Sequence, residues 1–113
     1  MGECVFCRII AGELPATIVY QDDKVMAFRD IHPVAPTHVL IVSREHIPDL
    51  RAPEAADRDL MAAVAKAIRL IAEKEGLLAE GFRVVSNTGV KAGQSVFHLH
   101  FHLLGGRELG ALG

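Results

Sequence analysis

Short apolar runs separated by polar turns fill the first part of the chain and predict an antiparallel sheet. Residues 17–20 (TIVY) and 25–28 (VMAF) flank the polar turn 21–24 (QDDK), which predicts a β-hairpin. Residues 30–36 predict a loop, because each of their two prolines lacks an N–H and pushes the preceding residue to extended geometry. The continuous apolar run 39–42 (VLIV) predicts a central strand that is buried on both faces.

One stretch has the apolar periodicity of a helix. We predict a single long helix over residues 53–75, because Pro53 suits a first helical turn and Gly76 suits the position after the last. The apolar positions of this stretch recur at helical spacing: Leu60, Val64, Ala67, Ile68 and Ile71. Residues 3–11, followed by Gly12, predict a short N-terminal helix or turn.

The last part of the chain predicts a second hairpin. Residues 82–87 are typical of a strand, residues 88–94 of a glycine-containing loop, and residues 95–104 alternate polar and apolar side chains as a β-strand does. The elements together predict an α+β fold, in which an antiparallel sheet of about five strands carries one long helix and a short N-terminal helix. No linker or repeat interrupts residues 1–113, so we expect a single domain.

Three of the six histidines lie in the last predicted strand, as His98, His100 and His102. Side chains at this spacing share one face of a strand, with neighbours about 6.5–7 Å apart. They are compatible with a metal cluster, with acid, base and nucleophile groups, or with half-buried polar residues. A single ion bound by all three is disfavoured, because the outer two would lie ~13 Å apart.

The loop before the histidines favours phosphate as the ligand. Gly89 and Gly93 allow backbone N–H groups to approach an anion closely, Asn87 precedes them, and Ser95 adds a hydroxyl. An imidazole has an ordinary pKa of about 6.5, so near neutral pH it can attack phosphorus or carry a proton to a leaving group.

Composition excludes several classes of partner. The net charge of −2 provides no basic surface for nucleic acid, and no window has the ~20 apolar residues of a membrane span. The start, Met-Gly-Glu-Cys, lacks the pattern of a signal peptide. The two cysteines, spaced Cys-x-x-Cys, fit a reducing cytoplasm better than a disulfide framework, so we expect a cytoplasmic protein.

The segment His98-Leu99-His100-Phe101-His102-Leu103-Leu104 resembles the His-φ-His-φ-His-φ-φ signature of the histidine triad (HIT) family, where φ is an apolar residue. Further segments match: Phe28-Arg29-Asp30-Ile31, Ala35-Pro36-Thr37-His38, Gly93-Gln94-Ser95-Val96 and Leu104-Gly105-Gly106-Arg107. The last two resemble the nucleotide-binding branch of that family, and the resemblance covers essentially the whole chain.

This resemblance implies a homodimeric nucleotide hydrolase or transferase that acts at the α-phosphorus of a purine nucleotide derivative, typically a nucleoside phosphoramidate, through a nucleotidyl-histidine intermediate. It assigns the nucleophile to His100, support of that nucleophile to His98, and α-phosphate binding to His102. It places His38 beside the triad. The other implied ligands of an AMP-like nucleotide are Asp30 at the ribose, Phe28 and Ile31 at the base, and Asn87, Gly93, Gln94 and Ser95 at the phosphate, with Ser95 also aiding the leaving group.

The resemblance also implies a structural zinc site made of Cys4, Cys7, His46 and His98. Two cysteines alone supply only two of four ligands, and the alternative is a pair of small buried side chains. In such a site, zinc would fix His98 and thereby the register of His100.

Two other functions stay open at this point. One is a nucleotide-binding regulatory module with incidental activity, and the other is a dinucleoside polyphosphate hydrolase. The tail at residues 108–113 differs from the Trp-containing tail that is usual in the branch, which leaves the preferred leaving group undefined.

Overall fold

The computed structural model describes residues 4–112, which form two α-helices and one antiparallel sheet. Helix α1 spans Val5–Ile10 and α2 spans Arg58–Lys74. The strands are β1 (Ile18–Gln21), β2 (Val25–Arg29), β3 (Thr37–Ser43), β4 (Arg83–Val85) and β5 (His100–Gly105). The predicted α+β architecture is confirmed. Glu3, the first residue of the predicted N-terminal element, lies outside the described residues.

The strands are ordered β1-β2-β3-β5-β4, and every neighbouring pair is antiparallel. Strand β3 lies at the centre and is buried along its whole length, as its apolar run predicts. Its Leu40 pairs with His102 and its Val42 with His100. The histidine strand therefore lies one place from the edge of the sheet, between the buried centre and β4.

The two faces of the sheet have different partners. Odd-numbered residues such as Val39, Ile41 and Phe101 pack with the apolar stripe of α2 in the larger core. Even-numbered residues of β2 and β3 pack on the opposite face with Phe6 of α1 in a smaller core. Because successive side chains of a strand alternate in direction, His100 and His102 point to the α1 face.

The predicted single helix over residues 53–75 is wrong at its start. Pro53–Ala56 forms a separate 3₁₀ turn, and Asp57 between it and α2 has an extended conformation with ψ 126°. The Asp57 carboxylate accepts a hydrogen bond from the Leu60 N–H at 2.8 Å. The break is therefore an N-cap, a position that aspartate favours because its side chain bonds to an N–H of the first turn.

The predicted strand over residues 95–104 also begins too early. Strand β5 starts at His100, while the Leu99 N–H donates to the carbonyl of Ile47, and the Leu99 carbonyl accepts from the Ser43 N–H. These hydrogen bonds connect Leu99 to the end of β3 and to the segment that follows β3. Leu99 and His98 therefore lie before β5 and not within it. The predicted strand 82–87 is shorter as well, because only Arg83–Val85 pair with β5.

Candidate active site

A cleft of about 540 Å³ opens on the α1 face of the sheet, above His100 and His102. Its apolar wall comes from the N-terminal segment and the sheet: Val5, Phe6, Ile9, Leu14, Phe28 and Leu40. Its polar side contains Asp30, Ser95 and the two histidines. The cleft thus joins a surface suited to a planar apolar group with groups suited to a sugar and a phosphate.

The cleft brings together six residues that the sequence predicted: Phe28, Asp30, Ile31, Ser95, His100 and His102. Ile31 is 83 % exposed and His32 is exposed, so both form the rim of the cleft. Sequence reasoning missed the contribution of α1. Its spacing of Val5, Phe6 and Ile9 on one helical face is the signal that could have indicated a packing wall.

His100 has a defined tautomer. Its Nδ1 lies 2.7 Å from the carbonyl oxygen of His98, and a carbonyl can only accept, so Nδ1 carries the proton. In the neutral ring Nε2 then has the lone pair that a nucleophile needs. Ser86, which sequence reasoning missed, donates its hydroxyl to the His100 carbonyl at 2.8 Å and so fixes the same residue through its backbone.

His102 receives its tautomer from a chain of hydrogen bonds. The Val34 N–H donates to Nδ1 of His38 at 3.2 Å, so the proton of a neutral His38 lies on Nε2. That Nε2 donates to Nδ1 of His102 at 2.9 Å. His102 then carries its own proton on Nε2, the atom that remains for an oxygen in the cleft.

Burial keeps this relay uncharged near neutral pH. Desolvation, with the neighbouring His100 and His38 rings, lowers the pKa of His102 to about 4. Desolvation also lowers the pKa of His38, although Asp30 opposes that shift. Both rings are therefore neutral at pH 7, and each can act as a one-proton donor with a fixed direction.

Asp30 lies where β2 ends and the loop over the cleft begins. Its Oδ1 accepts from the His32 N–H at 2.7 Å, which holds the start of the loop, and its Oδ2 lies 3.4 Å from Nε2 of His38. Its backbone N–H donates to the His38 carbonyl at 3.0 Å. The carboxylate is thus fixed at the mouth of the cleft, with acceptor capacity for hydroxyl groups.

The two glycine N–H groups of the loop bond within the loop in this structure: the Gly89 N–H donates to Gln94 Oε1 at 2.7 Å and the Gly93 N–H to the Val90 carbonyl at 3.0 Å. Gly89 and Gly93 adopt φ 88° and φ 92°, a left-handed region that glycine tolerates and other residues rarely adopt. A 3₁₀ turn over Val90–Ala92 separates them. Asn87 is half-buried, and neither it nor Gly93 lines the cleft, whereas Ser95 does.

The polar groups of Gln94 bond to the protein backbone. Its buried side chain donates to the carbonyls of Pro48 and Val96 and accepts from the Gly89 N–H, and its own N–H donates to the Gly89 carbonyl. All N–H donors of Gln94 are therefore engaged within the described residues. In this structure the Gln94 side chain therefore holds the loop through hydrogen bonds to the backbone.

Cys4, Cys7, His46 and His98 form a second cluster behind the nucleophile, as the resemblance implies. Their ligand atoms all lie within 4.8 Å of one another, with Cys7 Sγ 3.2 Å from His46 Nδ1 and Cys4 Sγ 3.3 Å from His98 Nδ1. Such separations suit two sulfurs and two nitrogens around a tetrahedral zinc with bonds of about 2.3 and 2.0 Å.

The surroundings of the cluster fit a metal as well. His98 is fully buried, and its Nε2 donates to the Ser43 carbonyl at 2.6 Å, which leaves the Nδ1 lone pair directed at the two sulfurs. Metal-bound histidines usually have such a partner on the other nitrogen. Asp30, His38 and His102 also approach one another within 4.8 Å, but the 2.9 Å hydrogen bond engages the facing nitrogens of the two histidines.

Known proteins with similar sequences belong to one family. Residues 11–109 match the HIT domain family. The purine nucleoside phosphoramidase of Escherichia coli strain K12 is 46% identical over 110 residues, covering 97% of this chain and 92% of the relative. The 14 kDa zinc-binding protein of Brassica juncea is 43% identical over 109 residues, covering 95% and 96%.

A solved structure extends the agreement to the fold. The HIT family hydrolase from Clostridium thermocellum superimposes with a TM-score of 0.93 at 46% identity, covering 99% of this chain and 97% of that one. The family match and these relatives extend over nearly the whole sequence. The chain therefore belongs to the histidine triad (HIT) family and is a hydrolase.

Proposed function

We propose that this hydrolase cleaves the P–N bond of purine nucleoside 5′-phosphoramidates and returns the nucleoside monophosphate. The observation that carries the proposal is the 2.7 Å hydrogen bond from His100 Nδ1 to the His98 carbonyl, which leaves Nε2 as a nucleophile beside the cleft. The E. coli relative, a purine nucleoside phosphoramidase, supports the same substrate class.

In the first step, Nε2 of His100 attacks the α-phosphorus and forms an N–P bond. The substrate's P–N bond breaks, and the amine leaves with the electron pair and takes up a proton from the solvent. Ser95 lines the same cleft and would hydrogen-bond to that nitrogen. The His98 carbonyl stabilises the positive charge that develops on the His100 ring, because it is already aligned with Nδ1–H.

In the second step, water attacks the α-phosphorus of the nucleotidyl-histidine, the P–N bond to His100 breaks with its electron pair returning to Nε2, and the attacking water releases a proton to the solvent. His102 supports both steps by donating its Nε2–H to a phosphate oxygen, in the tautomer that His38 imposes. Asp30 would accept hydrogen bonds from the ribose hydroxyls. The base would lie against Phe28 and the wall that α1 adds, with Ile31 at the rim.

We propose further that Cys4, Cys7, His46 and His98 hold a structural zinc. The sulfur and nitrogen separations and the relative named as zinc-binding support it. When bound, zinc would close all four positions with protein ligands, so it would supply rigidity and no reacting group. These residues fix His98, whose carbonyl orients the nucleophile.

We propose further that the protein forms a homodimer and works in the cytoplasm. The edge strand β4, with Val84 41 % exposed at its centre, is compatible with a homodimer. Two cysteines without a disulfide suit the cytoplasm. Among residues 4–112, no helix is long and apolar enough to cross a bilayer.

Comparative turnover tests the proposed function. Adenosine 5′-phosphoramidate should be cleaved with a far higher kcat/KM than a diadenosine polyphosphate. A preference for the dinucleotide would favour the dinucleoside polyphosphate hydrolase instead. Tight binding of AMP without measurable turnover of either compound would favour the regulatory module.

A further inference from the structure

One carboxylate joins the end of α2 to both ends of the loop above the cleft. Glu75, the residue that caps α2, accepts from Arg29 through both oxygens, at 3.1 Å from Nη1 and 2.8 Å from Nη2. Its Oε1 also accepts from the Thr37 hydroxyl at 3.1 Å. Arg29 is the last residue of β2 and Thr37 the first of β3, so Glu75 links three elements.

The two residues that Glu75 holds each precede a residue of the site. Arg29 precedes Asp30, and Thr37 precedes His38. Because side chains alternate along a strand, Arg29 and Thr37 face α2 while Asp30 and His38 face the cleft side of the sheet. The contact of Glu75 on the α2 face thus fixes the backbone from which the Asp30 and His38 side chains extend on the cleft side.

The ion pair between Glu75 and Arg29 has the burial and geometry of a strong interaction. The Glu75 side chain is only 17% exposed, and its pairing with Arg29 is bidentate, the geometry that gives guanidinium–carboxylate pairs both strength and direction. Hydrogen bonds from Arg29 lower the pKa of Glu75, so the carboxylate stays charged. A second link closes the same loop from within, because the Asp30 N–H donates to the His38 carbonyl.

We infer that Glu75 is a positioning residue for ribose recognition, holding Asp30 at the distance from the cleft that the ribose hydroxyls require. This inference rests on the proposed function. Its effect is transmitted through Arg29 and Thr37, and Glu75 touches no substrate. Loss of the clamp lets the loop between β2 and β3 shift, and a displacement of about 1 Å can cost on the order of 100-fold in rate.

The test compares two substrates in four proteins. Wild type, Glu75→Gln, Glu75→Ala and the control Glu73→Ala, an exposed position two residues earlier on α2, are assayed with adenosine 5′-phosphoramidate and with its dideoxy analogue, which lacks both ribose hydroxyls. Glu75→Ala should raise KM for the ribose substrate by about 10–100-fold and leave KM for the dideoxy substrate almost unchanged, while any effect that passes through His38 lowers kcat for both substrates alike. Glu75→Gln should lie between, and Glu73→Ala should match wild type.

An equal rise in KM on both substrates, or an unchanged ratio between the two KM values, would overturn the inference, because a purely structural role affects binding of both alike. Thr37→Val removes one arm of the clamp while retaining the shape of the side chain, and it replaces Glu75→Ala if that variant does not fold. A wild-type protein that cleaves neither substrate overturns the proposed function itself. One that cleaves both equally overturns the role of Asp30 at the ribose.

Discussion

The Nδ1 atom of His100 lies 2.7 Å from the carbonyl oxygen of His98, two residues earlier in the chain. This bond connects two sites with different chemistry. The ring of His98 faces the cysteines, while its carbonyl determines which nitrogen of His100 is available to attack. The three histidines of the signature therefore have different hydrogen-bond partners, although their spacing in the sequence is uniform.

His38 should be needed for catalysis through its effect on the tautomer of His102. Replacing His38 by Ala removes the Nε2 donor at 2.9 Å, so His102 is no longer held with its own proton on Nε2. We expect kcat to fall by roughly 10²-fold or more, as for the loss of an acid–base partner, measured by steady-state kinetics. Glu73→Ala, at an exposed position of α2, is the control and should retain activity. Equal kcat in His38→Ala and wild type would contradict the relay.

The ring of His102 should titrate far below the ordinary histidine. Desolvation and the neighbouring His100 and His38 rings lower its pKa to about 4, and Asp30 only partly opposes them. Between about pH 6.5 and 4 the unfolded chain binds a proton at this ring that the folded protein does not. The contribution to stability is therefore present above pH 6.5 and is lost as the pH falls to about 4.

NMR titration of the imidazole resonances measures this directly. A midpoint for His102 near 6.5 would contradict the buried, neutral relay. Denaturant unfolding at several pH values gives the second readout, since His102→Asn should flatten the acid side of the stability profile.

Removal of zinc should loosen the N-terminal wall of the cleft. A metal held at about 1,000 times its Kd stabilises the fold by about 4 kcal/mol, so a chelator should lower Tm by on the order of 10 °C. Phe6 lies between Cys4 and Cys7, and its ring centroid is 5.1 Å from that of His100, so AMP binding should weaken as well. Metal analysis should find one zinc per chain in wild type and none in the Cys4→Ser, Cys7→Ser double variant. Protein purified without zinc, with a Tm that chelator does not change, would refute the site.

Gln94 should contribute to stability rather than to phosphate binding. Gln94→Leu removes three part-buried hydrogen bonds, to the Gly89 N–H and to the carbonyls of Pro48 and Val96, and a typical hydrogen bond contributes about 0.5–1.5 kcal/mol. Denaturant unfolding should show that loss. Unchanged stability together with a large loss of affinity for AMP would restore Gln94 as a phosphate ligand.

Local patterns predicted most of the sheet, because alternation and turn residues act over a few positions. They failed where a distant partner decides the structure. The start of β5 depends on bonds from Leu99 to Ile47 and Ser43, which no local pattern encodes. The break at Asp57 was not predicted, because apolar periodicity continues across it. The break comes from the Asp57 carboxylate, which accepts a hydrogen bond from the Leu60 N–H and so caps α2.

The candidate site likewise has residues that local motifs predicted and residues that they did not. The histidines and Asp30 lie in motifs, so the sequence indicated them. The α1 wall was missed because β3 is apolar on both faces, and periodicity does not tell which helix covers which face. Gln94 lies within a motif, yet its side chain turns away from the cleft toward the backbone of its own loop and of Pro48.

Trapping of the covalent intermediate tests the central claim, that His100 is the nucleophile. The protein is mixed with a radiolabelled or fluorescent adenosine 5′-phosphoramidate, quenched within one turnover and mapped by mass spectrometry. The account predicts one adenylyl group on His100, no adduct in His100→Ala, and AMP binding that survives in this variant. An adduct on another residue, or turnover that persists in His100→Ala, would contradict it.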